Sequence, residues 1–108
     1  MNWRQDLGFC QDTVFILDIS CRFIERYFGR TDADNLVVTY FERYGQFADE
    51  RYVRHELSWG MAVQIYYTVA LGGDRSDVRS WQRENGWLET PPEALAYLRE
   101  HYWSKVQV

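Results

Sequence analysis

The sequence predicts an all-α fold, a bundle of about five helices packed around a long central helix at about residues 49–71. Three observations lead there. Apolar residues recur with helical rather than alternating spacing nearly throughout. Capping and stop residues cut the chain into segments of helical length. One stretch, Leu57 to Gly73, carries no charged residue, while charged segments flank it on both sides.

The elements follow in order. Met1 to Gln11 is a lead-in loop or an early helical turn, with Trp3, Leu7 and Phe9 as anchors. Asp12 or Thr13 offers a side-chain acceptor to the free amides of a first helix. Val14 to Phe28 is amphipathic, with Asp18, Arg22, Glu25 and Arg26 on one arc and Ile16, Leu17, Ile19, Phe23, Ile24, Tyr27 and Phe28 over the rest. Gly29 stops it. Thr31 to Asp34 places acid at the positive end of the next helix, which runs to Arg43 or Tyr44 before Gly45. Its Leu36-Val37-Val38-Thr39-Tyr40-Phe41 run also suits a strand; the signals on both sides favour helix.

Asp49 to Leu71 is the long helix. Its first two turns are charged and the rest is apolar nearly all round, which fits a helix buried on several sides. A membrane span is the competing reading. Ser58, Gly60, Gln64, Thr68 and the closing glycines argue against it, as do the other apolar faces that need this helix as their core. Asp74 to Asn85 is a polar surface helix pinned by Val78 and Trp81. Thr90-Pro91-Pro92-Glu93 is a helix start, with Pro where its missing N–H costs nothing. A last helix reaches Trp103 or Ser104 on Leu95, Leu98 and Tyr102. No repeat or long linker divides the chain, so residues 1–108 read as one helical domain.

Composition narrows the function. The 108 residues carry 12 basic and 16 acidic side chains, a formal charge of −4, which disfavours nucleic acid and suits a basic protein partner. Five Trp, eight Tyr and six Phe exceed what one small core hides, so some should lie at an interface with a partner or with a second copy of the chain. The polar N-terminus, MNWRQDLGFCQD, lacks a secretory pattern, which points to the cytoplasm and to Cys10 and Cys21 as free thiols.

Catalytic signatures are missing. Gly72-Gly73 has no following Lys-Ser or Lys-Thr, so it reads as a helix stop. His55-Glu56 has Trp59 where a zinc helix needs its second histidine, and His101 is far along the chain. No metal or cofactor is expected, and no enzyme activity. Aromatics and acids instead gather at the start of the long helix: Tyr44, Phe47, Asp49, Glu50, Tyr52, Glu56 and Trp59. They would form a partner-binding patch, or pack the helix corner. The concrete expectation is an inhibitor of the bacterial immunity type, which occludes a basic toxin or enzyme. The alternative is a bundle that binds a small apolar ligand beside Gln64 and Tyr67, since a buried Gln must find hydrogen-bond partners.

Overall fold

The structure is a computed structural model that describes residues 2–46 and 49–103, with side chains through residue 101. It is all-α, with no strand among the described residues. The chain packs as two compact units, Met1–Val78 and Arg79–Val108.

In the first unit, α1 (Trp3–Asp6) is a single turn capped by the Asn2 side chain, which accepts from the Arg4 amide. It buries Trp3 to 1 % exposure. The Trp3 indole donates to Asp34 at 2.9 Å, and Arg4 donates to both Asp18 and Asp34. The lead-in is therefore tied to the two helices that follow. Gly8 then takes a left-handed conformation (φ 70°) that turns the chain into the next helix.

Helix α2 (Gln11–Phe28) begins one residue before the expected cap, with Cys10 at the N-cap position and no side-chain cap bond. It ends at Gly29, which is left-handed (φ 66°), as the sequence suggests. Its core face is Ile16, Leu17, Ile19, Phe23 and Ile24, each exposed by 4 % or less. Helix α3 (Ala33–Tyr44) follows and buries Leu36, Val37, Tyr40 and Phe41. Helical packing of these residues overrides their strand propensity.

Helix α4 (Glu50–Ile65) makes the largest helix–helix contact of the unit, against α2. Asp49 caps it by accepting from the Tyr52 amide. The expected uninterrupted helix over 49–71 is corrected here. Leu57 has φ 64° and ψ −174°, which breaks α4 into two segments. A wide π-turn (Tyr66–Ala70) then continues from α4. Beyond the break Met61, Ala62, Val63 and Ile65 are buried to 1 % or less and fill the core. Ser20 on α2 locks the start of this half, donating to Ser58 O at 2.9 Å. A short 3-10 turn (Arg75–Asp77) is capped by Asp74.

In the second unit, α5 (Val78–Asn85) enters from the 3-10 turn and α6 (Pro92–Leu98) runs into a π-turn (Arg99–Trp103). Gln82, buried to 7 %, donates to Trp87 O and fixes the bend between the two helices. Pro91, not Thr90, occupies the N-cap position of α6, without a side-chain cap bond. The fixed φ of Pro92 starts this helix. Among the described residues no helix is long and apolar enough to cross a membrane.

Candidate functional site

Three chain segments meet in an open groove of about 360 Å³. The turn after α1 supplies Leu7, Gly8 and Phe9. The end of α3 supplies Phe41 and Gly45, and the start of α4 supplies Asp49 and Glu50. The Phe9 and Phe41 rings meet edge to face with centroids 5.0 Å apart, a favourable aromatic geometry. The floor is thus aromatic and one wall acidic.

The acidic wall is fixed in place. Glu50 Oε1 accepts from the Cys10 amide at 2.8 Å, which satisfies a donor ahead of α2. Hydrogen bonding to Cys10 holds the Glu50 carboxyl below its ordinary value, and Arg54 one turn along adds to this. Asp49 Oδ1 accepts from the Tyr52 amide at 3.0 Å. Both side chains are oriented acceptors at the mouth of an apolar slot.

Gln64, buried to 6 %, is the centre of a second polar cluster. Its Oε1 accepts from the Tyr40 hydroxyl at 3.1 Å and the Tyr52 hydroxyl at 2.6 Å. Its Nε2 donates to Glu56 Oε1 at 2.8 Å. Arg75 lies over the Tyr44 and Tyr52 rings, 5.4 and 5.2 Å from their centroids. Burial raises the Tyr40 phenol well above its usual value, so it stays a donor.

The residues singled out from the sequence therefore separate. Asp49 and Glu50 line the groove. Tyr44, Tyr52 and Glu56 turn to the Gln64 cluster. Trp59 is 4 % exposed and packs edge-on against Phe23 and Tyr27, with Phe28 stacked beside it. Phe47 lies outside the described residues. Tyr67 covers Gly73 so closely that a Cβ there would collide with its ring. Sequence reasoning read Leu7 and Phe9 only as anchors of the lead-in and assigned Phe41 to no site. The signal that could have placed them was Gly8, whose turn sets Phe9 against α3.

The remaining titratable groups are scattered. His55 is exposed, with Nδ1 4.0 Å from Glu56, and His101 packs against the Tyr97 ring. Cys21 is buried, and its thiol is pushed up by burial first and then by the charge of Asp34. Among the described residues no three His, Cys, Asp or Glu side chains gather as a metal site would need. Comparison with protein-family models, with curated proteins and with solved structures gave no match to this chain.

Proposed function

We propose that this chain is a protein-binding module that captures a basic segment of a partner in the groove between α1, α3 and α4. One observation carries the reading: two oriented carboxylates, Asp49 and Glu50, stand at the mouth of a slot floored by Phe9 and Phe41. A lysine or arginine side chain matches both parts. Its aliphatic stem covers aromatic rings while its charged head meets carboxylates. The formal charge of −4 supports this by steering a cationic partner to the surface. The concrete form of the proposal is an inhibitor that occludes a basic toxin or enzyme. A small-ligand site at Gln64 gains no support, because its side-chain oxygen and nitrogen are engaged by Tyr40, Tyr52 and Glu56.

The test is an NMR titration with a hexalysine peptide, with hexaglutamate as control. Shifts confined to Phe9, Phe41, Gly45 and Glu50, weakening as salt rises, are expected. The Asp49→Asn/Glu50→Gln variant keeps a capping side chain at position 49 and should lose about tenfold in affinity, in the range of one charge-assisted contact. Binding indifferent to salt and to this variant would overturn the reading.

A further inference from the structure

The bonds at Gln64 require the break at Leu57. In an unbroken helix Tyr52 and Gln64 would stand roughly 18 Å apart along the axis, and Glu56 and Gln64 roughly 12 Å. The first span exceeds what a tyrosine and a glutamine side chain bridge together. Yet the Tyr52 hydroxyl reaches Gln64 at 2.6 Å, so the segment before the break folds back. Gly60 clears the path for Glu56. A Cβ on Gly60 would lie 3.2 Å from Glu56 Cβ and 3.5 Å from its Oε2.

Leu57 itself takes a conformation that glycine adopts readily and other residues do not. Its side chain is 42 % exposed, so burial contributes little to holding it there. The geometry is held from either side. Beyond the break Ser58 O is fixed by Ser20. Before it, residues 50–56 have one buried side chain, Val53. Glu50 on Cys10, the Tyr52 and Glu56 bonds to Gln64 and Arg75 over the Tyr52 ring add to the attachment.

We propose that residues 50–56 are a latch on a hinge at Leu57, closed by Tyr52 and Glu56 on Gln64. When it opens, Leu57 relaxes into helical conformation and α4 becomes continuous. Asp49 and Glu50 then leave the mouth of the groove. The latch stands on the backbone and the Gln64 bonds alone; its effect on partner capture rests on the function proposed above.

The experiment measures a spin-label distance between cysteines placed at Arg51 and Leu71, both exposed, in a Cys10→Ser background without any partner. A continuous helix would separate these positions by about 30 Å at the backbone. The native hinge should give one population clearly shorter than that. Gln64→Leu should move it to the long distance. Because Gln64→Leu strands the Tyr40 hydroxyl, Tyr52→Phe/Glu56→Ala removes the latch from the arm's side and should do the same. Leu57→Gly should keep the short distance and raise Tm by about 5 °C as the strain is relieved. A long distance in the parent protein, or a short one in both latch variants, overturns the proposal. Failure of hexalysine to bind leaves these distances untouched, so the two proposals fail separately.

Discussion

The two halves of α4 share a helix but are held by different physics. Residues 58–65 are buried on nearly every side, and packing fixes them. Residues 50–56 are exposed or half-buried apart from Val53, and are fixed by that one buried side chain and a few directed bonds, through Asp49, Glu50, Tyr52 and Glu56. Apolar burial is spread over many contacts and is robust. Hydrogen bonds are few and local, so an arm held by them can move while the core stays intact. The proposed function falls on the second half of this contrast.

Substitutions can break or sharpen it. The largest effect belongs to the packed half: Trp59→Ala should cost about 3–5 kcal/mol in urea unfolding, because it empties the space among Phe23, Tyr27 and Phe28. Arg51→Ala in the arm should stay within about 0.5 kcal/mol. Equal losses at the two positions would erase the contrast. Next comes Gln64→Leu, at about 2 kcal/mol, because it leaves the buried Tyr40 hydroxyl without its acceptor. Asp49→Ala should then cost about 1 kcal/mol through loss of the α4 cap, while Asp49→Asn stays near neutral.

The smallest effect is acid loosening of the arm. The folded-state pKa of Glu50 is depressed, so its contribution is complete above the unfolded value of about 4.3 and is lost as pH falls through the folded one. The Cys10 amide, which donates to this carboxylate, should shift in NMR spectra across that window. In Glu50→Gln the shift should vanish. A Cys10 shift that persists in the variant would assign the titration to another group.

Much of the fold was legible because its signals are local. The Gly29 stop, the acid before α3, the acid at the start of α4 and the uncharged core run each act within a few residues. The break at Leu57 was not legible, since leucine carries no sign of a left-handed backbone. The contacts that accompany it are not local: Gln64 is bonded by residues 8 and 12 positions earlier, and Ser58 O by Ser20 on α2. One hint was present: the change from charged to uncharged sequence falls at Glu56–Leu57, and Ser58 is a residue that often opens helices. The groove was half legible. Asp49 and Glu50 stood out by charge, whereas Phe9 and Phe41 became its floor only through the turn at Gly8. Trp59 was drawn to the patch by composition, which cannot tell an interfacial tryptophan from a caged one.

The two cysteines make the molecule convenient to label. Cys21 is buried beside Asp34 with its thiol held protonated, which keeps it inert to alkylating reagents. Cys10 is exposed, at the start of α2, and its amide already touches Glu50. A maleimide dye should therefore attach once, at the rim of the groove. Its emission would report occupancy of the groove directly, with no engineered residue in the protein.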